Sequence, residues 1–197
     1  VQLGKYLGNL LQGDFGVSIK MQKNRPVLDI ILEMFPVSAK VGIVAICWAV
    51  VVGVPLGCLA AYKRGTWVDS LLRVVCTIGI SMPGFVVATI LLHTLCGGIE
   101  GLKIFPTIFD GTLKSYVLPC AALGFYPMCY LSRQTRTAML DSINQEYIKT
   151  ARAKGLKNKK IIFKHALRNA LIPVITYLGP QIAFTLCGGP VSYTHLR

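Results

Sequence analysis

Long uncharged stretches alternate along this chain with short polar ones, on the length scale of a lipid bilayer. Residues 41–62, 74–99, 115–132 and 169–196 hold no Asp, Glu, Lys or Arg. About 20 consecutive apolar residues cross a hydrocarbon core about 30 Å thick, whereas a helix on a soluble protein shows charge on its outer face every turn or two. The pattern predicts an all-α, polytopic membrane helical bundle with spans at about 41–62, 74–97, 115–132 and 171–189. The first of these holds ten Val, Ile or Leu residues, which together favour insertion by roughly 3–6 kcal/mol.

Proline and glycine punctuate the spans. Gly53, Pro55 and Gly57 lie in the first, where small residues let helices approach closely. Pro83 and Gly84, in "SMPGF", are expected to bend or interrupt the second. Pro119 and Pro127 lie in the third, and Pro173 marks entry to the fourth. Residues 1–40 mix turn signals ("LLQGDFGVS") with "KNRPVLDIILEMFP". There, Asn24 and Pro26 ahead of an apolar periodicity predict a short helix lying at the membrane surface.

Composition narrows the class. Hydrophobic residues make up 53% of the 197 and charged residues 15%, against about a quarter charged in a soluble domain. The seven cysteines include no C-x-x-C pair, so they read as small apolar side chains rather than a disulfide frame or zinc site. His93 and Cys96 lie one helical turn apart, but two ligands do not make a metal site. His165 reads as an interfacial residue.

The net charge of +13 is unevenly spread, with ten Lys or Arg against Asp141 and Glu146 in residues 133–168. With alternating spans, segments 63–73 and 133–168 share one side and carry thirteen Lys or Arg, whereas 1–40 and 100–114 share the other and carry seven. Positive charge concentrates in cytoplasmic loops, so residues 133–170 are assigned to the cytoplasm and 1–40 to the opposite face.

That basic segment is itself patterned. Ser142-x-x-Gln145 reads as a capping box, followed by Ile143, Tyr147, Ile148 and Ala151 at helical spacing. Gly155 suits the left-handed position after a helix end. Asn158 is expected to cap a second helix through "KKIIFKHALRNAL". A solvated basic loop beside anionic lipid explains the charge but not the small residues Thr150, Ala151 and Ala153 ahead of the glycine. Nucleic-acid binding is disfavoured by a short loop between spans without base-stacking aromatics. A helix–turn–helix knob docking into a cytosolic protein accounts for both features.

The residues of this knob resemble those of a known family. "YIKTARAKGL" and "HALRNALIP", with "NLLQGDFGVS", "PLGCLAAYKRG" and "SMPGF", are similar to permease subunits of ATP-binding-cassette importers, the dipeptide/oligopeptide/nickel class, over about residues 3–189. Of the general signature Glu-Ala-Ala, three residues, Gly, only Ala151 and Gly155 match; the peptide-class form matches far better. The resemblance implies that Glu146, Tyr147, Thr150, Ala151, Ala153, Lys154, Gly155 and Leu156 dock into an ATPase subunit. It implies as partners a second homologous permease, two ATPase subunits and an extracytoplasmic solute-binding protein, in the inner membrane of a bacterium or archaeon. ATP and Mg would be held by the ATPases, with no cofactor or metal in this chain, which contains no G-x-x-x-x-G-K-[ST] phosphate loop. Ser81 and Pro83 are placed beside the solute pathway, against the plainer reading of a helix kink without solute contact.

Other readings remain in view. The resemblance implies a peptide as solute, with nickel or glutathione as alternatives in the same class. A channel or secondary transporter would place ionisable residues inside its spans, and these runs have none. A membrane scaffold would bring no ATPase. Measured against the family, the chain reads as a fragment with four of six expected spans, and its tail, residues 190–197, reads as foreign sequence.

Overall fold

The computed structural model describes residues 2–18, 24–96, 104–106, 112–157 and 160–195. Among them there is no strand, only an isolated bridge between Val17 and Pro26. The helices are α1 (Gln2–Leu11), α2 (Val27–Tyr62), α3 (Trp67–Ser81), α4 (Gly84–Leu95), α5 (Leu113–Ile143), α6 (Glu146–Ala153) and α7 (Leu167–His195), the last preceded by a π-helical turn, Ile161–Ala166. Two compact units divide the chain, residues 1–40 and 41–197.

The first unit contains α1, a turn and the beginning of α2. The turn is closed by Val27 N–H on Gly16 O (2.9 Å) and Ser18 N–H on Arg25 O (2.9 Å). Arg25 pairs with Glu33 at 2.8 Å. The short surface helix expected after Pro26 is not a separate element, because its apolar residues run without a break into the first span as the 36-residue α2. Among the described residues α2 is the one helix long and apolar enough to cross a membrane by itself.

In the second unit the core forms three layers down the contact of α2 with α5. Val41, Ala45 and Cys120 make the first; Ala49, Met128, Cys129 and Leu131 the second; Cys58, Ala61, Ala138 and Met139 the third. Residue numbers rise together along the two helices, so α2 and α5 run parallel. By contrast, α3 and α7 run antiparallel to α5: Cys76 packs with Cys129 while Asp69 meets Arg136, and Ala170 lies with Met139 while Tyr177 stacks on Tyr130. The described residues of segments 63–73 and 133–168 therefore meet at one end of this unit.

Close approach explains the glycines. A Cβ on Gly53 would lie 2.7 Å from Met128 O, one on Gly124 2.6 Å from Ala45 O, and one on Gly57 would strike Ser132 O and lie 2.6 Å from Thr135 Cβ. Gly53 and Gly57, four residues apart, present one small-residue face on which two backbones touch. "SMPGF" breaks its span outright: α3 ends at Ser81, α4 starts at Gly84, and the two axes differ by 107°. Pro83, at φ −59° and ψ 139°, cannot continue the helix.

The basic elbow as candidate docking site

Helix α5 does not stop at the end of its uncharged run. It continues to Ile143, through Arg133 and Arg136, and carries the basic segment on a rigid stalk. The expected capping box is not formed. Ser142 lies in the last turn of α5 and is buried, Asn144 ends that helix, and Gln145 in extended backbone (ψ 153°) opens α6 without a side-chain cap. The apolar periodicity had joined two helices that a two-residue corner separates.

Eight residues are too few for a stable isolated helix, so α6 must be held by packing. Ile148, wholly buried, and Ala151 enter the third core layer beside Cys58, Ala61, Ala138 and Met139. Burying one Ile side chain contributes about 1.5–3 kcal/mol. Glu146 in the first turn and Arg152 in the last suit the helix dipole.

The end of α6 is a Schellman motif. Gly155 N–H donates to Arg152 O (2.9 Å) and Leu156 N–H to Ala151 O (3.3 Å), with Gly155 at φ +74°. Leu156 packs back onto the layer that contains Ala151, completing the apolar contact that goes with this cap. The chain then turns into Ile161–Ala166, whose Ile161, Ile162 and Ala166 are buried in the same layer. Asn158 lies outside the described residues, as do residues 100–103 and 107–111 of the opposite loop and residues 196–197. Residues 160–195 are one helical run, so the second loop helix and the last span are continuous. Pro173 sits inside that run rather than at a boundary.

The named residues consequently divide. Glu146, Tyr147, Thr150, Ala153, Lys154 and Gly155 are exposed, and with Lys149 and Arg152 they form a cationic outer face. Lys149 Nζ lies 2.7 Å from Glu146 Oε1, and Thr150 Oγ1 donates to Glu146 O (3.2 Å). Ala151 is buried and Leu156 half-buried; they fasten α6 to its own chain and do not belong to the outer face. Tyr147 also lines an open cleft of about 450 Å³ with Asp141, Gln145 and Asn169, where α5, α6 and α7 converge. His165 is half-buried in the π-helical turn. Ser81 and Pro83 are exposed at the α3–α4 break, far along the chain from this elbow, and Ser81 Oγ donates to Thr77 O (2.9 Å).

One pair at this end escaped the sequence reading. Asp69, in the first turn of α3, is buried (1% exposed) and takes two hydrogen bonds from Arg136 of α5, Nε to Oδ1 at 2.6 Å and a terminal guanidinium nitrogen to Oδ2 at 2.9 Å. Gly65 N–H adds a third at 3.1 Å, and Arg73 stands 3.6 Å away. The Arg136 hydrogen bond is the largest reason the Asp69 carboxyl is held at a pKa of about 2; burial opposes it, and Gly65, the Arg136 charge and Arg73 assist. Arg136 is correspondingly raised, first by the same hydrogen bond. The available signal was that Asp69 is the lone acid in residues 63–73.

Comparison with known proteins fits this geometry. The chain is 43% identical over 183 residues to the dipeptide transport system permease protein DppB of Bacillus subtilis, an alignment covering 93% of this chain and 58% of that protein. It is 39% identical over 199 residues to the oligopeptide transport system permease protein AppB of the same organism, covering 97% and 62%. It is 37% identical over 190 residues to the glutathione transport system permease protein GsiC of Escherichia coli, covering 96% and 60%. The chain thus spans about three-fifths of the length of these relatives. Residues 53–191, which include every helix from α3 onward to the middle of the last turns of α7, match one family throughout. The chain belongs to the binding-protein-dependent transport system inner membrane component family.

Proposed function

We propose that this chain is the permease subunit of an ATP-driven importer of short peptides. It forms part of the solute pathway and takes its energy from separate ATPase subunits, which hold ATP and Mg. The observation that carries this reading is the outer face of α6: a short helix, clamped to the end of a span by Ile148 and Ala151, presenting small and cationic residues to a partner. Glu146, Tyr147, Thr150, Ala153, Lys154 and Gly155 are the docking residues, and Ala151 and Leu156 hold the helix that displays them. Closure of the ATPase pair pushes α6, and α5 transmits the displacement into the bundle.

The remaining partners are a second homologous permease and an extracytoplasmic solute-binding protein. The protein crosses the plasma membrane of a bacterium or archaeon several times, with the end formed by residues 63–73 and 133–168 in the cytoplasm. The parallel course of α2 and α5, with α3 and α7 antiparallel to them, supports this alternation. Peptide as solute rests on the dipeptide and oligopeptide permeases among the relatives. A glutathione importer is the second reading, favoured by the 37% identity to the glutathione permease.

Cysteine at the exposed Ala153 position, in an otherwise cysteine-free transporter, tests the docking. A bifunctional thiol reagent is expected to join it to a co-purified ATPase subunit, with yield changing when ATP is bound. A cysteine at 153 that never reaches an ATPase, or that reacts only with reagents applied outside intact cells, would sink the proposal.

A further inference from the structure

We infer that the Asp69–Arg136 ion pair is the positioning link that makes α3 move with the α5–α6 elbow, so that displacement of the elbow reaches the 107° break at Pro83. The inference rests on the transporter reading above and adds a route for its motion.

The elbow is fastened to α5 and α2 by an apolar layer to which α3 contributes no buried residue among those described. Apolar contact of α3 with α5 lies two turns further on, where Cys76 packs in the layer of Cys129 and a Cβ on Gly79 would meet Cys129 Sγ at 2.5 Å. At the basic end, the start of α3 is tied to α5 by polar contact, and Asp69 makes it. Two parallel hydrogen bonds from one guanidinium fix direction as well as distance. Gly65, at φ +78°, turns its N–H onto the same carboxylate, so the loop between α2 and α3 is gathered into the joint.

Stability alone is a poor reason for this arrangement. A buried ion pair is often matched or bettered by apolar residues of similar volume, while removal of one partner leaves an unpaired charge. What the pair supplies that Leu–Leu would not is a two-bond, directional tie between the start of α3 and α5, which otherwise meet two turns further on around Cys76, Gly79 and Cys129. From Asp69, α3 runs as one rigid helix to Ser81, the residue before the break.

The test uses the assembled transporter in proteoliposomes, measuring dipeptide taken up per ATP hydrolysed. Asp69→Asn is expected to lower that ratio at least tenfold while hydrolysis continues. Because Asp69→Asn also strands a charge, the double variant Asp69→Leu/Arg136→Leu separates the roles. It should assemble and melt like the parent yet keep the ratio at least tenfold down. Spin labels at exposed positions 67 and 141 supply a second readout. Their separation should be unchanged by ATP in the parent and become ATP-dependent in the double variant. A double variant that couples like the parent, or labels that separate on ATP binding in the parent, overturns the link. A parent complex with no ATP-driven uptake defeats the transporter reading and this inference with it, whereas a coupled parent with coupled variants defeats this inference alone.

Discussion

Helix α5 is held in two different ways along its length. Within the uncharged run it meets α2 by backbone contact through Gly53 and Gly124, without an ion pair, and Gly57 sits at the change-over, against Ser132 and Thr135. Past Ser132 it is held by an apolar layer under α6 and by Arg136 on Asp69. With the uncharged run read as lying in lipid and the residues past Ser132 in water, the difference follows from the solvent. Lipid gives apolar side chains no reason to leave it for one another, so association there depends on close packing and small residues. In water the apolar layer forms by exclusion, and charge can be buried locally where a fork of donors awaits it. The same helix therefore changes its means of attachment where the chain is read as leaving the membrane.

The largest effect should come from unpairing the buried charge. Asp69→Ala leaves Arg136 half enclosed without its acceptor, a loss of about 3–5 kcal/mol, seen as a lower melting temperature of the purified complex. The pH dependence has a definite sign. The Asp69 pKa of about 2 in the folded chain lies below the ordinary value of about 3.9. Its contribution is thus complete above about pH 5 and is lost as pH falls toward 2. The stability gap between parent and Asp69→Ala should be flat from pH 8 to 5; a gap that closes already at pH 6 would show that the pair is not buried as described.

Next comes the glycine face. Gly57→Val places a branched side chain against Ser132 O and Thr135 Cβ, both parts of α5 that cannot rotate away. Overpacking of this kind costs about 1–3 kcal/mol, and should appear as poor recovery of folded protein from the membrane. Gly4→Val, where a Cβ meets nothing within 4 Å, is the control. Equal recovery of Gly57→Val and the control would remove the contrast between the two modes of attachment.

How far these regions were legible in the sequence depends on which physics fixes them. The uncharged run of α2 announces itself, because a helix long and apolar enough to cross a membrane is defined by length and the absence of charge, both one-dimensional properties. The break at Pro83–Gly84 and the left-handed Gly155 are equally local, since each residue's own backbone decides them. The corner at Asn144–Gln145 was hidden, because Ile143 and Tyr147 keep helical spacing across it and only three-dimensional packing of Ile148 places the turn. Ala151 shows the same gap in the site: its smallness suits either a docking face or a tight core, and burial assigns it to the core. The Asp69–Arg136 pair joins residues 67 apart, which no local pattern encodes.

At the elbow, Gly155→Val forces a β-branched residue into left-handed backbone at about 1–2 kcal/mol. No neighbour lies within 4 Å of a Cβ there, so strain and not collision is the cause. The Schellman bonds to Arg152 O and Ala151 O are expected to loosen, with α6 fraying while the spans insert normally. Uptake per ATP should fall in the docking reading, and Gly155→Asn, which tolerates that backbone better, should fall less. Equal coupling in the Val variant and the parent would count against α6 as the docking helix.

The smallest effect separates two acids that look alike in the sequence. Glu146 and Asp69 each lie in the first turn of a helix and each faces a basic side chain, at 2.7 Å and 2.6 Å. Glu146 is exposed, with its side chain 85% accessible, whereas that of Asp69 is 1% accessible. Water and salt screen the Glu146–Lys149 pair, and exposed pairs three residues apart contribute about half a kcal/mol or less. Glu146→Gln should therefore leave the melting temperature of the complex almost unchanged, and added salt should erase what difference remains. Its consequence is expected in association instead: in the docking reading, loss of one negative charge from a cationic face alters the fit to the proposed ATPase, read as a changed rate of complex formation at low ionic strength. A melting-temperature loss as large as that of Asp69→Ala would mean that Glu146 is buried against a partner already present, and that geometry alone does not divide the two acids.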